Sequence, residues 1–313
     1  MKLFVLNSPN NNGMLKTPTN VLNSPAIYGV SFDLKLEQFM MGGSAFGDGF
    51  AVTLKSEIKR VAGFGKKVSI AIMCGDFASN IPDVTYVNLI EAHHQNVPPD
   101  AEDHGISVPV PYNAAYIQYM SRFITWFSES LKADSKAYAA IDSIKVTGVN
   151  QKTPEMRIPD QDLTGGDAFY NAAVKWKAEY YLPSHIHTTM MMLIGYWKYA
   201  FPDKNLILPI ISGLQGFPCI NGNGEICKPN QRPDTTKTIV TEIAHPDNVT
   251  AGWCYMNPTS KAPLYISAKP CYYQTQNISP PYANWIHETI ANAQTQNCEI
   301  FEMQYAIFKK FPI

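Results

Sequence analysis

Short runs of apolar residues recur along the chain, and most are followed by a polar loop and then by a segment with helical periodicity. Continuous apolar runs of this length are typical of parallel strands whose two faces are both covered. Eight runs have this character: Lys2–Leu6, Ile27–Phe32, Lys67–Cys74, Ser143–Asn150, Leu206–Ser212, Thr250–Asn257, Cys271–Thr275 and Cys298–Gln304. The pattern therefore predicts a buried, parallel sheet.

Amphipathic segments separate several of these strands. The clearest places apolar residues at three-to-four spacing from Tyr116 to Leu131, and another covers Phe169–Ala200 with a break at Pro183. Alternating strands and helices predict βα units, and eight of them predict one closed (β/α)8 barrel, an α/β fold, over residues 1–313. A doubly wound open sheet is the alternative, which is disfavoured because no Gly-rich phosphate loop follows any strand. No element is predicted for Phe77–Pro111.

The composition is that of a globular chain with little charge. Of 313 residues, 45% are hydrophobic, 12% aromatic and 16% charged, and the formal net charge is −1. A near-neutral chain lacks the basic surface that binding to nucleic acid or anionic lipid requires. No run reaches the roughly 18 consecutive apolar residues that a membrane span needs. The composition thus predicts neither a nucleic-acid partner nor a membrane partner.

Two of the six cysteines are predicted to lie close together. Cys219 and Cys227 flank Ile-Asn-Gly-Asn-Gly-Glu-Ile, a Gly/Asn loop that can turn back on itself and let the two cysteines form a disulfide. The other four lie in apolar contexts and are predicted to be buried thiols: Cys74, Cys254, Cys271 and Cys298. One bridge favours an oxidising compartment, so a secreted or periplasmic location is preferred over the cytoplasm.

Polar and aromatic residues follow the predicted strands at the edge where a barrel of this kind builds its site. Carboxylates and amides bind hydroxyl groups, and aromatic rings cover the apolar faces of a pyranose. The sequence therefore predicts a sugar-binding cleft. Its predicted substrate contacts are Asp33, Asp76, Asn150, Gln151, Trp253, Asn257, Tyr273 and Gln274.

One stretch resembles a known family. Ile144–Pro159, with the sequence IKVTGVNQKTPEMRIP, resembles the fourth-strand region of clan A (β/α)8 glycoside hydrolases, in particular cellulase-like and β-galactosidase-like bacterial members with a T-G-x-N…E-M pattern. Gly29–Phe32, Gly65–Ile70 and Val108–Tyr112 resemble preceding segments of the same proteins, so the resemblance spans about residues 27 to 160. It implies a retaining hydrolase with a strand-four acid/base glutamate and a nucleophilic glutamate near strand seven. It also implies that Asn150 reaches a substrate hydroxyl.

The sequence departs from that family pattern at two glutamines. Gln151 follows Asn150 where the family has its acid/base glutamate, and Gln274 ends the predicted seventh strand where the nucleophile belongs. An amide can neither donate a proton as a general acid nor form a glycosyl ester. Glu155, in the same loop as Gln151, is the best substitute acid/base, and Glu302 on the last strand is the best substitute nucleophile.

Other interpretations remain open. Glu155 alone is also typical of a solvated loop glutamate, and Trp253 and Tyr273 are equally consistent with core residues. Because glutamines occupy both expected catalytic positions, a carbohydrate-binding barrel without hydrolysis is the main alternative. A lyase or isomerase would need a metal cluster, a Schiff-base lysine or a phosphate loop, and the sequence offers no convincing candidate. No cofactor and no metal are predicted, since neither His93-His94 nor His185-Ile186-His187 has a third ligand at suitable spacing.

Overall fold

The computed structural model describes residues 1–7, 15–41, 45–78, 80–91, 104–151, 153–211, 216–228, 231–275, 282 and 284–310. In these residues the strands are β1 (Lys2–Leu6), β2 (Gly29–Lys35), β3 (Lys67–Met73), β4 (Tyr86–Glu91), β5 (His104–Pro109), β6 (Ile141–Lys145), β7 (Asn205–Ile210), β8 (Thr250–Met256), β9 (Cys271–Thr275) and β10 (Cys298–Gln304). The α-helices are α1 (Thr19–Asn23), α2 (Asp48–Gly63), α3 (Ala114–Lys132), α4 (Ser135–Ala140), α5 (Ala168–Ala178), α6 (Pro183–Ala200), α7 (Thr235–Ile239), α8 (Leu264–Ser267), α9 (Trp285–Thr295) and α10 (Tyr305–Lys310).

Eight of the strands close a parallel barrel. Their order around it is β1, β2, β3, β6, β7, β8, β9 and β10, and β10 pairs again with β1. Seven of these strands match a predicted apolar run apart from small differences at the ends. The fourth run, Ser143–Asn150, is corrected: the strand there is β6, Ile141–Lys145, and residues 146–150 already lie in the loop after it. The predicted (β/α)8 barrel is therefore confirmed. Strands β4 and β5 form an antiparallel hairpin outside the barrel, in the segment for which the sequence predicted no element.

The helices bury the faces that the sequence periodicity predicts. Helix α3 turns Tyr116, Met120 and Phe123 towards the barrel, and Asn113 caps its first turn by accepting from the amides of Ala115 and Tyr116. The predicted break at Pro183 is also found, because this proline occupies the first turn of α6. These faces and the outward side chains of the strands form one continuous core between barrel and helices.

Inside the barrel, small residues make room for large rings. A Cβ atom on Gly29 would lie 2.5 Å from Cε1 of Phe4, and one on Gly252 would lie 2.4 Å from Cδ1 of Tyr272. Both distances are shorter than real contacts of a Cβ atom, so the rings fit only because these positions are glycine. The interior of the barrel is consequently packed with side chains up to the level of the candidate site.

The two cysteines of the Gly/Asn loop lie close together, as predicted. The sulfur atoms of Cys219 and Cys227 are 3.0 Å apart, and the amide of Cys227 donates to the carbonyl oxygen of Cys219 at 2.9 Å. Both cysteines are free. Of the remaining four, Cys298 is half-buried, which corrects the expectation that all four are buried.

We expect Cys219 and Cys227 to form a disulfide when the protein is incubated with a low-molecular-weight disulfide as the oxidant. Closing so short a loop is expected to raise the free energy of unfolding by about 2 to 3 kcal/mol. Intact-mass analysis with thiol labelling checks the result, which is the loss of two reactive thiols in the wild type. Cys227→Ser should abolish the change in stability. The prediction is wrong if the wild type keeps all its thiols in the presence of the oxidant.

The secreted or periplasmic location stays a prediction.

No helix in the described ranges is both long and apolar enough to cross a bilayer.

Candidate active site

Three buried charged side chains meet inside the barrel, in the C-terminal halves of their strands. They are Asp33 on β2, Lys145 on β6 and Glu302 on β10. The Nζ atom of Lys145 lies 3.1 Å from Oδ1 of Asp33 and 3.0 Å from Oε1 of Glu302, so one ammonium pairs with two carboxylates. Lys145 and Glu302 are both 0% exposed. Buried charges of this kind are stable only when they are paired.

Burial and charge act in opposite directions on Lys145. Burial alone would lower the pKa of its ammonium, but Asp33 and Glu302 together raise it above the ordinary value of 10.5. Lys145 is therefore protonated at neutral pH. A protonated, doubly paired lysine is not a nucleophile, so it does not provide the Schiff-base chemistry considered for a lyase.

Asp33 responds differently to the same surroundings. Burial raises its pKa from 3.8 to about 6, and repulsion from Glu302 and Glu155 adds to the shift, while Lys145 opposes it. Asp33 therefore gains a proton at a higher pH than an exposed aspartate does.

Strand β9 supplies two neighbours of Glu302. Gln274 lies opposite Glu302 in the strand register, and the hydroxyl of Tyr272 donates to Oε1 of Gln274 at 3.3 Å. Burial and the nearby charge of Glu302 raise the pKa of Tyr272 well above its ordinary value, so the phenol is neutral. The second oxygen of Glu302, Oε2, is buried and finds no hydrogen-bond partner among the described residues. A buried acceptor left in this state is costly to the fold, which is why it needs an explanation.

Glu155 lies in the loop after β6, and backbone hydrogen bonds hold this loop against its neighbours. The amide of Met156 donates to the carbonyl oxygen of Pro209 at 2.8 Å, and the amide of Arg157 donates to that of Val149 at 3.0 Å. The Glu155 side chain is 9% exposed. The thiol of Cys254 on β8 lies near it, and burial together with the Glu155 charge raises the pKa of that thiol well above its ordinary value.

Glu155 and Glu302 thus belong to one cluster. Both carboxylates act on the thiol of Cys254, and both act on Asp33. Two carboxylates, a third carboxyl group that titrates near neutrality and one lysine make a compact, mostly buried constellation. Such a cluster can supply a nucleophile and a proton donor to a bound substrate.

The side chain of Asn150 is hydrogen-bonded to backbone groups nearby in the chain. Its Oδ1 accepts from the amide of Gly148 at 3.0 Å, and its Nδ2 donates to the carbonyl oxygen of Thr153 at 2.9 Å. The side-chain amide is therefore engaged within its own loop, and its contact with a substrate hydroxyl stays a prediction. Gln151 is buried, and its backbone packs directly against Gly75. A Cβ atom added to Gly75 would lie only 2.4 Å from the carbonyl oxygen of Gln151, so this close approach needs glycine.

Three further predicted substrate contacts are engaged in the core or in a turn. Trp253 and Tyr273 lie in the core between barrel and helices, with ring centroids 6.4 Å apart, and the hydroxyl of Tyr273 donates to the carbonyl oxygen of Gln296. The Oδ1 atom of Asn257 accepts from the amides of Thr259 and Ser260 and closes a turn after β8. All three residues therefore have structural contacts, and their sugar contacts stay predictions.

The remaining predicted positions are Asp76 and the histidine pairs considered as metal ligands. The side chain of Asp76 is outside the described residues, as are His93 and His94. His187 lies 3.2 Å from Glu242 at the surface. Within the described ranges, no three His, Cys, Asp or Glu side chains are grouped so that they could hold a metal ion.

Sequence reasoning missed Lys145, Cys254 and Tyr272. A signal for Lys145 was present, because a lysine in a strand as buried as Ile141–Lys145 is unusual unless it is paired. Lys145 follows Ser143 at the two-residue spacing that places both side chains on one face of the strand. Cys254 and Tyr272 carried no comparable signal, since both read as ordinary core residues.

Comparison with known proteins supports the fold. No family model and no curated protein sequence matches the chain. The catalytic domain of a β-amylase from Paenibacillus polymyxa is 10% identical, with a TM-score of 0.62 over 96% of this chain and 91% of that one. An old yellow enzyme homologue from Zymomonas mobilis is 9% identical, with a TM-score of 0.54 over 100% of this chain and 89% of that one. A glycoside hydrolase family 30 subfamily 8 xylanase from Clostridium acetobutylicum is 11% identical, with a TM-score of 0.53 over 97% of this chain and 63% of that one. At such identities the likeness shows the (β/α)8 barrel fold, which this chain shares with all three.

Proposed function

We propose that this protein is a glycoside hydrolase that cleaves β-linked oligosaccharides or polysaccharides with retention of configuration. The observation that carries the proposal is the arrangement of Glu302. Its carboxylate is buried, Oε1 pairs with Lys145, and Oε2 has no hydrogen-bond partner among the described residues. A carboxylate that is held in place by one oxygen while the other has no hydrogen-bond partner is suited to attack an anomeric carbon once substrate reaches it.

Glu155 is the proposed acid/base. It lies beside Cys254 at the edge of the same cluster, and unlike Glu302 it keeps some exposure, at 9%. In the first step its proton goes to the glycosidic oxygen, that C–O bond breaks, and Glu302 forms an ester bond with the anomeric carbon. In the second step Glu155 takes a proton from water, whose oxygen replaces Glu302 at that carbon.

The fold comparisons are compatible with this activity but do not select it. Two of the compared proteins are a β-amylase and a glycoside hydrolase family 30 xylanase, whereas the third is an old yellow enzyme homologue. The same barrel therefore hosts different chemistry, and the proposal depends on the carboxylates in the site.

A carbohydrate-binding barrel without hydrolysis is the second candidate. It is favoured by Gln151 and Gln274, which occupy the positions where the resemblance places catalytic glutamates. Gln274 lies directly beside Glu302 and accepts a hydrogen bond from Tyr272. Calorimetry with a sugar panel, run beside a product assay, separates the two candidates: binding without any product favours this one.

The hydrolase proposal is tested by measuring the rates at which Glu155→Ala hydrolyses aryl β-glycosides with poor and with good leaving groups. Loss of a general acid is expected to slow substrates with poor leaving groups by about 10² to 10⁴-fold. Glycosylation of substrates with good leaving groups should be spared, because these leave without a proton. Added azide should then restore turnover and give a glycosyl azide of retained configuration.

Glu129→Ala is the control, because Glu129 is exposed on α3 and far along the chain from the loop that carries Glu155. This variant should behave as wild type on every substrate. Full activity of Glu155→Ala on poor leaving groups would remove the acid/base assignment.

A further inference from the structure

Lys145 and Asp33 are buried next to the proposed nucleophile, yet the two-glutamate reaction gives neither of them a step. Lys145 is 0% exposed and Asp33 is 4% exposed. The Nζ atom of Lys145 is almost equally distant from the two carboxylates, at 3.1 Å from Asp33 and 3.0 Å from Glu302. Burying three charges is expensive, so an arrangement that keeps them points to a role beyond packing.

We infer that Lys145 and Asp33 are positioning residues. Because the Lys145 ammonium pairs with both carboxylates, the charge on Asp33 sets how far Lys145 compensates the negative charge of Glu302. This inference rests on the proposed function. While Asp33 is ionised, Lys145 compensates each carboxylate only in part, and the three side chains together carry one negative charge. That charge lies beside the position where an oxocarbenium-like transition state develops positive charge, and it stabilises that state.

Protonation of Asp33 removes this balance. The full charge of Lys145 then falls on Glu302, which becomes a weaker nucleophile, and the net negative charge of the three side chains disappears. Burial raises the pKa of Asp33 to about 6, so the change takes place at mildly acidic pH.

Few other groups around Asp33 could change their charge at mildly acidic pH. From the neighbouring elements, Cys254 and Tyr272 face the cluster with pKa values raised well above their ordinary ones, so both are neutral. Glu155 is the other carboxyl group that acts on Asp33. Strands β1, β3 and β7 contribute uncharged side chains to the interior: Phe4, Ser69 and Ile207.

The first test is the pH dependence of kcat/KM for Asp33→Asn. The substrate is an aryl β-glycoside with a good leaving group, which makes the rate insensitive to the acid form of Glu155. Wild-type kcat/KM should fall as the pH falls through about 6. Asp33→Asn imitates the protonated form at every pH. It should lower kcat/KM at pH 7.5 by roughly 10- to 100-fold, as expected for removing one charge about 6 Å away at an effective dielectric constant of about 20.

In Asp33→Asn the fall near pH 6 should also be absent. Asp83→Asn is the matched control, because Asp83 is exposed in a turn with φ 63°, a conformation that asparagine also adopts. It should keep the wild-type rate and profile. If Asp33→Asn retains both the wild-type rate and its acidic fall, the positioning role is overturned.

The second test needs no substrate and follows thermal unfolding against pH. The folded state binds the Asp33 proton more tightly than the unfolded state, because burial raises the pKa from 3.8 to about 6. The contribution of Asp33 to stability should therefore be largest at low pH and decline as the pH rises from about 4 to about 6. Asp33→Asn should lack that decline.

The two tests separate the possible failures. Identical pH profiles of stability in the wild type and Asp33→Asn would overturn the charge sharing itself. A wild type that hydrolyses no glycoside would overturn the proposed function and the positioning role with it, while the stability profiles would still report on the pairing of Asp33 with Lys145.

Discussion

Replacing Glu302 by alanine is expected to lower kcat by about 10⁵-fold or more, the scale on which a covalent nucleophile contributes. The loss should be as large on aryl β-glycosides with good leaving groups, because these substrates dispense with the general acid but still need an attacking carboxylate. Initial rates with such substrates measure the effect. Glu302→Gln should be nearly as inactive, since an amide of the same shape does not form a glycosyl ester.

Glu299→Ala is the control for this experiment. Glu299 lies on the same strand as Glu302, but its side chain is exposed. The control should keep wild-type kcat, and circular dichroism should show that all three variants are folded. Full activity of Glu302→Ala would remove the nucleophile assignment. The acid/base assignment of Glu155 would still be tested separately, by azide rescue of Glu155→Ala.

The barrel itself could be predicted from the sequence because its strands are buried on both faces. Runs such as Lys67–Met73 and Asn205–Ile210 are apolar at nearly every position, which gives a strong signal for a strand. The hairpin formed by β4 and β5 gave a weaker signal, because it lies outside the barrel and only part of each strand is buried.

The same burial concealed which face of each strand points into the barrel. Trp253 and Cys254 are neighbours in sequence, and so are Tyr273 and Gln274, but the members of each pair lie on opposite faces. When both faces are apolar, alternation no longer distinguishes them. The sequence therefore did not reveal that the two aromatic rings lie in the core between barrel and helices, whereas Glu302 became a candidate because a carboxylate in so apolar a strand needs a reason.

Local hydrogen bonds engage two of the other predicted substrate contacts. Asparagine side chains readily bond to nearby backbone groups and stabilise turns. Asn150 and Asn257 both do so in the loops after β6 and β8. Whether such an amide serves a loop or a ligand depends on the loop conformation, which the residue type alone does not specify.

Lys145→Met is expected to lower the free energy of unfolding by about 3 to 5 kcal/mol, the cost of removing one partner from a buried ion pair. Asp33 and Glu302 would be left as two buried carboxylates without a countercharge. The loss should be largest at neutral pH and shrink as the pH falls, because the folded variant neutralises these carboxylates by taking up protons. Urea unfolding at neutral and mildly acidic pH measures both effects. Lys67→Met is the control, since the Lys67 ammonium donates to the carbonyl oxygen of Ala139 in an exposed setting and pairs with no carboxylate among the described residues.

The triple variant Lys145→Met, Asp33→Asn, Glu302→Gln decides what causes the loss. If the cost arises from uncompensated charge, neutralising both carboxylates should recover most of the stability, because neutral groups of similar volume often replace a buried ion pair at little cost. The recovered protein should nevertheless be inactive, since it lacks the proposed nucleophile. A triple variant as unstable as Lys145→Met would instead mean that the loss has a cause other than uncompensated charge, such as the contact of the Lys145 ammonium with the ring of Tyr272, whose centroid lies 5.5 Å from its Nζ atom. The charges of Asp33 and Glu302 would then not decide the stability of the barrel.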